Sequence, residues 1–553
     1  MPFELEHDWQ ASLATPRPRI GETAKTRLLL LLCFLWLVLG LIGHQPWKPD
    51  EAQTISAVKH LLQGGSWIIP SVAGVPTLQN PPLYYLSAAA GAWLLSPWLS
   101  MHDAARLVTG LWMALTLLMV GMTGREMWGK GEGRQTTFIF LGSIGLFFPA
   151  HLLTAEIAAL AGYAMAFYGL ALAHRRPWRA APLIGCGIGI AFLSTGLSAV
   201  EILLLTAAAL PAMFPHWRRK SYFTSLATGL AIATPWLVLW LFAVWRQSPD
   251  LLHTWLVSGK HVLDDNNLLY FARTLSWYAW PALPLAAWSL WHYRQRLLQR
   301  PQFQLALVFF LATLLLLGLG SDSRDILALP LLLPLAVMGG AAIEKLQRSA
   351  ASALDWFGIA LFGTLGFLLW LGWFAMMSGL PAKLAERMHT LSEAYVPHFD
   401  WKIFLAALGL TLIWWLVVFK TNKRSNRAVV TDWAVGITLV WGLLTTLWLP
   451  WLDAAKGYHG MYASMKQALP AQYACLTSRG MGVSQRALLD YYLNIQARPI
   501  ETSQRAECDL FLVQDEKRHA TGAPGPDWKL IWQGKRPSDR RERYWLYQYI
   551  PAQ

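Results

Sequence analysis

Charge is what this chain has least of. Only 14% of its 553 residues are Asp, Glu, Lys or Arg, where a soluble protein carries nearer a quarter, so an ordinary water-soluble globule is excluded. No internal repeat and no low-complexity tract is visible, which weighs against transporter folds built from inverted repeats. The apolar stretch at 27–43 is followed by Trp47, Lys48, Pro49 and Asp50 rather than by small residues, so it is not a cleaved signal peptide. Cysteine is scarce, four residues in all. Cys33 and Cys186 lie in apolar segments and read as small hydrophobes.

What is present is apolar length. The chain is 55% hydrophobic with 31 Trp, and runs long enough to cross a bilayer core of ~30 Å recur throughout. Spans are predicted at 27–43, 104–124, 135–151, 155–173, 181–197, 199–215, 222–245, 271–292, 303–320, 326–344, 353–378, 403–419 and 429–451, about 13 in all. The basic residues fall in every second loop, for example Arg125, Lys130 and Arg134, then Arg175, Arg176 and Arg179, then Arg218, Arg219 and Lys220. Positive loops stay cytoplasmic. The N-terminus is therefore predicted inside and the last hundred residues outside. The same rule accounts for the net charge of +14, so nucleic acid is not an expected partner.

The outer side holds the long loops at 44–103, 246–270 and 379–402 and the tail, and loops of that length usually carry function. Residues 1–452 read as a transmembrane catalytic domain that includes the loop 44–103. Residues 453–553 read as a small α/β extracytoplasmic domain, with strands near 508–513, 528–532 and 545–550 and a helix near 484–493. Ile55, Val58, Leu61 and Leu62 fall at helical spacing, which predicts an amphipathic helix along the membrane surface. Pro81-Pro82 opens a second helix running to Trp93 at the interface. Cys475 and Cys508 share the tail, in a compartment where a disulfide persists, and a bridge between them is expected.

The candidate chemistry is acidic and sits at the outer rim, while the span centres are almost free of charge. Asp50 and Glu51 open the first outer loop. They read either as first-turn acids favoured by the helix dipole or as a general base at a partly desolvated cavity; the two roles coexist. Glu156 starts the fourth span, with Thr154 as a possible cap, and an ionisable residue there is a functional candidate. In Ser321-Asp322-Ser323-Arg324-Asp325, Arg324 is suited to a phosphate or to pairing with Asp322 or Asp325. Lys260 and His261, beside Asp264 and Asp265, are further polar candidates; a metal site there has no supporting ligand spacing. A carrier of lipid-linked intermediates would place its ionisable groups at mid-membrane, so rim acids favour an enzyme.

The string Pro49-Asp50-Glu51, Gly64-Gly65-Ser66-Trp67-Ile68-Ile69-Pro70, Gly74 and Pro81-Pro82-Leu83-Tyr84-Tyr85 resembles the polyprenyl-phosphate-dependent GT-C glycosyltransferases. Within them it is similar to the bacterial aminoarabinose transferases (ArnT) and their protein O-mannosyltransferase relatives. Ala104-Ala105-Arg106-Leu107 resembles the start of the family's next span, Glu156 stands where the family has a second acid, and Ser321 to Pro330 resembles its Ser…Lys/Arg…Leu-Pro loop. The resemblance implies a bacterial inner-membrane enzyme that performs an inverting transfer from a polyprenyl-phosphate sugar donor to a lipid or glycolipid acceptor such as lipid A. It implies no nucleotide sugar, no cofactor and a monomer among membrane lipids. A protein O-glycosyltransferase of the same fold, and a flippase, are the alternatives. On this reading Asp50, Glu51 and Glu156 are the acids of the reaction, and Arg324, Lys260 and Asn80 hold the donor phosphate. Tyr84, Tyr85 and His261 contact substrate. Departures fall on the basic side: Asn80 replaces a Lys, Gln53-Thr54 an Arg-Tyr, Leu327 a Tyr and Thr195 a Lys.

Overall fold

In a computed structural model the chain is described over residues 22–258, 265–320, 322–420, 426–500, 508–515, 525–539 and 541–550. It is a bundle of apolar helices capped at one end by a small sheet-containing unit. Eight helices have 18 or more residues and enough apolar length to cross a membrane: Met101–Trp128, Ala155–Leu172, Pro177–Thr195, Lys220–Gln247, Pro301–Leu319, Arg348–Ser378, Trp401–Phe419 and the run Asn426–Ala468. Shorter apolar helices lie at Thr26–Val38, Leu83–Leu95, Leu197–Met213 and Asp325–Gly340.

Two predicted spans are broken. Segment 271–292 divides into Asp265–Tyr278 and Ala282–His292, with Pro281 between them. Segment 135–151 ends its helix at Leu141 and continues as short 3-10 turns, one opened by Pro149. Proline lacks the N–H that a continuing helix needs, which accounts for the break at Pro281; the other helix stops at Gly142, ahead of Pro149. Elsewhere the bundle closes through small residues. A Cβ placed on Gly162 would lie 2.6 Å from the Ala191 nitrogen, and one on Gly187 2.6 Å from the Ala166 nitrogen. The helices Ala155–Leu172 and Pro177–Thr195 thus meet backbone to backbone, the packing that membrane helices use without a hydrophobic drive between them.

The capping unit carries a five-stranded mixed sheet in the order β4-β3-β5-β7-β6, where β3 is Leu476–Arg479, β4 Arg498–Pro499, β5 Leu510–Asp515, β6 Trp528–Gly534 and β7 Arg543–Tyr549. A two-stranded hairpin, β1 Ser71–Val72 and β2 Val75–Pro76, belongs to the loop after the first span. Strands β3, β4 and β5 are parallel, while β7 runs antiparallel to β5 and β6. The helix Val483–Leu493 makes the crossover from β3 to β4. A disulfide joins Cys475 to Cys508, with Cα atoms 4.8 Å apart, at the foot of β3 and β5. The division expected between residues 452 and 453 falls inside the helix Leu449–Lys456, which carries the bundle into the cap.

The helix Asp50–Leu62 corrects one expectation. It does not lie along a membrane surface. Its apolar residues Ile55, Val58 and Leu61 are buried, and so are Glu51, Thr54, Ser56 and Lys59 on its polar side. The polar side faces the cap: Lys59 Nζ lies 3.1 Å from Asp490 Oδ1, and the Ser56 hydroxyl donates to Asp490 Oδ2 at 2.9 Å. The helix Leu83–Leu95 packs against its apolar side through Tyr84, Tyr85, Ala88 and Ala92, leaving Trp93 and Leu94 outward.

Candidate active site

The loop after the first helix is drawn tight before the helix Asp50–Leu62 begins. Asp453 accepts from the Gln45 N–H at 2.9 Å and the Trp47 indole at 3.0 Å. Lys48 pairs with Glu542 at 2.6 Å, and the Ser484 hydroxyl donates to the Pro49 carbonyl at 3.2 Å. Pro49 is the helix N-cap and supplies no side-chain cap, so Asp50 and Glu51 are first-turn acids at the positive end of the helix dipole. Successive helix positions point about 100° apart, and the two carboxylates accordingly enter different surroundings.

Glu51 is sealed inside. It accepts from Arg106 Nε at 2.8 Å, from the Trp47 N–H at 2.9 Å and from the Leu153 N–H at 3.1 Å. Burial opposes its charge, but Arg106, His44 and the Trp47 N–H outweigh burial and hold the carboxyl below the ordinary glutamate range. Arg106, at the start of Met101–Trp128, is completely buried. It also binds Asp103 at 3.0 Å and the Leu41 and His44 carbonyls at 3.3 Å each. Asp103 in turn takes the Gly43 N–H at 3.1 Å. A buried charge needs this many partners to be tolerated, and the result ties the first loop, the next span and the turn before Ala155–Leu172 to one guanidinium.

Asp50 points away from this network, toward solvent, with its side chain 24% exposed. Arg324 reaches it with Nη1 at 3.2 Å, reaches Glu156 with Nη2 at 3.6 Å, and donates from Nε to Asp322 at 2.7 Å. Glu156 is buried and takes the Thr154 hydroxyl, so Thr154 serves the carboxylate and does not cap the helix. Of the two partners open to Arg324, Asp322 is the one used; Asp325 instead takes the Tyr270 hydroxyl. Burial pushes the Asp50 carboxyl up to about 6, with Glu156 adding to the rise and Arg324 opposing it. Burial works against the Arg324 charge, but Glu156, Asp322 and Asp50 together raise its pKa.

The structure thus brings together Asp50, Glu156 and Arg324 among the sequence candidates and adds Asp322. Asn80 hydrogen-bonds to the Tyr85 side chain, and Tyr84 shares a 2.6 Å hydrogen bond with Thr109. Both tyrosines are buried, as wall and not as open surface. Lys260, His261 and Ser321 lie outside the described residues. Among the described residues, no three His, Cys, Asp or Glu side chains form a metal-holding group. The residue that sequence reasoning passed over is Arg106, noted only within a motif; a full charge at the rim of a span was the available signal. What the arrangement offers chemically is one accessible carboxylate poised to exchange a proton near neutral pH, beside a cation held by three acids.

No family model matches the chain. It is similar to an undecaprenyl phosphate-alpha-4-amino-4-deoxy-L-arabinose arabinosyl transferase of Serratia proteamaculans, 24% identical over 441 residues that cover 76% of each chain. A protein of the same name from Pseudomonas paraeruginosa is 26% identical over 375 residues, 61% of this chain and 63% of that one. Among solved structures, ArnT from Cupriavidus metallidurans bound to undecaprenyl phosphate superposes with a TM-score of 0.64 at 14% identity, over 95% of this chain and 98% of that one. The apo state of the same protein gives 0.67 over the same shares. The fold of this chain, helical bundle and sheet-bearing cap alike, is that of ArnT.

Proposed function

We propose that the chain is an inner-membrane glycosyltransferase, moving a sugar from a polyprenyl-phosphate carrier to an envelope glycolipid such as lipid A. The observation that carries the reading is the division of labour between neighbouring acids: Glu51 is locked to Arg106, while Asp50 stays accessible with a carboxyl pKa of about 6. Relatives named as undecaprenyl phosphate aminoarabinose transferases support the donor class. The charge balance supports an amino sugar, because among the described residues Asp50, Glu156 and Asp322 surround one cation, Arg324, an excess of negative charge that favours a protonated amine.

In the transfer, Asp50 takes the proton of the acceptor oxygen as that oxygen bonds to the anomeric carbon. The bond from that carbon to the carrier phosphate breaks on the opposite face, so the configuration inverts and the electron pair leaves with the lipid phosphate. Positive donors aimed at the departing charge lower the barrier. Arg324 is the described cation in place to do this, and Lys260, outside the described residues, is proposed as a second phosphate-holding group. Asn80 and Tyr85 form the wall beside Asp50. The working face is periplasmic, the N-terminus is cytoplasmic, and one copy suffices.

The test is transfer from a synthetic polyprenyl-phosphate sugar in membranes containing wild-type protein or Asp50→Asn. The variant is expected to insert normally and transfer nothing, and full activity would overturn the assignment. Mass spectrometry of envelope lipids and glycoproteins with and without the protein names the acceptor and separates lipid A from a protein hydroxyl.

A further inference from the structure

A cavity lined mostly by apolar side chains lies away from the acids, under the loop that joins Arg348–Ser378 to Trp401–Lys420. Its volume is about 280 Å³, and its walls include Met376, Met388 and Trp451 together with Glu386, His389 and Tyr395. The loop is pinned above it. The Trp451 indole donates to the Met388 carbonyl at 3.1 Å, the Ser392 hydroxyl to the Trp451 carbonyl at 3.4 Å, and Glu393 comes within 4.0 Å of Lys535 in the cap. Glu386, His389 and Tyr395 have no side-chain hydrogen bond or ion pair among the described residues. An acid, an imidazole and a phenol thus face one space over an apolar floor.

Its depth identifies the kind of occupant. The loop spans the ends of two membrane helices, and Leu380, Val396, Phe399 and Trp401 are exposed along it, Val396 at 81%. Exposed apolar and aromatic side chains at helix ends belong to the headgroup layer. The helix Ala382–Leu391 also presents Lys383 and Arg387 one turn apart.

We infer that this cavity binds the headgroup and first chain segment of an aminophospholipid in the leaflet on the sheet-bearing side. Glu386 takes the primary ammonium, while His389 and the Tyr395 hydroxyl donate to the phosphate, with Lys383 and Arg387 adding positive charge at the rim. Met376, Met388 and Trp451 pack against the start of an acyl chain. The volume is near the lower end of small-ligand sites, roughly 300–1,000 Å³, which fits a headgroup and a few methylenes and not a whole lipid. An anionic lipid without an ammonium leaves Glu386 unpaired next to a phosphate. A quaternary amine offers that carboxylate no N–H.

The experiment is native mass spectrometry of the full-length protein, delipidated in detergent and given phosphatidylethanolamine, phosphatidylglycerol or phosphatidylcholine in turn. Phosphatidylethanolamine is expected to be retained about tenfold over either other lipid, the worth of one charge-assisted hydrogen bond. Glu386→Gln should erase that preference, and Met376→Trp, which fills the floor, should remove the adduct. Equal retention of the three lipids, a preference for phosphatidylglycerol, or a preference that survives Glu386→Gln would each overturn the assignment. Glu386 is exposed, so its variant folds and decides the matter even if the tryptophan variant does not.

Discussion

Asp50 and Glu51 differ by one position in sequence and by everything in environment. The carboxyl of Asp50 rises from 3.8 to about 6, so the neutral form is favoured in the fold. Its contribution to stability is greatest below the unfolded pKa and is lost as pH rises through about 6. The proposed role as general base needs the opposite form. Transfer should be full above that pH and fall about tenfold per unit below it. Arg324 holds this carboxyl down, so Arg324→Ala should move the acid limb of the pH–rate profile to higher pH and Arg324→Lys should largely keep it. An unmoved limb in the alanine variant would detach Arg324 from Asp50. The same reasoning separates the two acids: Asp50→Asn should unfold at the wild-type temperature or above. Glu51→Gln leaves Arg106 poorly paired in the interior, a loss of about 3–5 kcal/mol, and should appear as a lowered melting temperature. The sequence could nominate the acids, because charge at the rim of a span is conspicuous. It could not say which one stays open, since that depends on Arg106, 55 positions away from Glu51.

At the scale of elements, the helix Asp50–Leu62 is held from both sides. Lys59 and Asp490 are both under 10% exposed at the side chain, and the Ser56 hydroxyl, which donates to Asp490, also accepts the Ala73 N–H at 2.9 Å. Asp490→Leu should cost about 3–5 kcal/mol by stranding a buried ammonium, whereas adding Lys59→Met to it should recover most of that loss. Melting temperatures of the two single variants and the double variant in one detergent would show it, and strictly additive losses would mean the pair is not coupled. The periodicity of Ile55, Val58 and Leu61 made this helix legible, but the same periodicity placed its polar face in water. That face is instead covered by a segment more than 400 residues later, a partner no local pattern announces. Within the cap, three strands and the crossover helix were legible from alternation and turn residues. The short strands β3 and β4 were not, having four and two residues, too few to show a period.

For the whole molecule, the apolar runs were enough to read a polytopic bundle, and helices broken at Pro281 and at Gly142 are where counting runs overstates continuity. The orientation of that bundle has a chemical consequence that can be measured. The described cysteines fall into two classes: Cys33 and Cys186 are free within apolar helices, and Cys475 and Cys508 are joined in the cap. A stable disulfide belongs to an oxidising compartment, and the charge rule predicts the basic loops at Arg175–Arg179 and Arg218–Lys220 on the other side of the membrane. If the cap is periplasmic, protein taken from cells with free thiols blocked at lysis, then denatured, should yield two thiols that become accessible only after reduction. A cysteine introduced at the exposed Gly460 should react with a membrane-impermeant maleimide in intact spheroplasts, and one at the exposed Trp178 should react only after lysis. The reverse labelling pattern, or four free thiols before reduction, would put the acids of the site on the cytoplasmic face. A donor delivered at the periplasmic surface could not then reach Asp50, because the bundle itself stands between them.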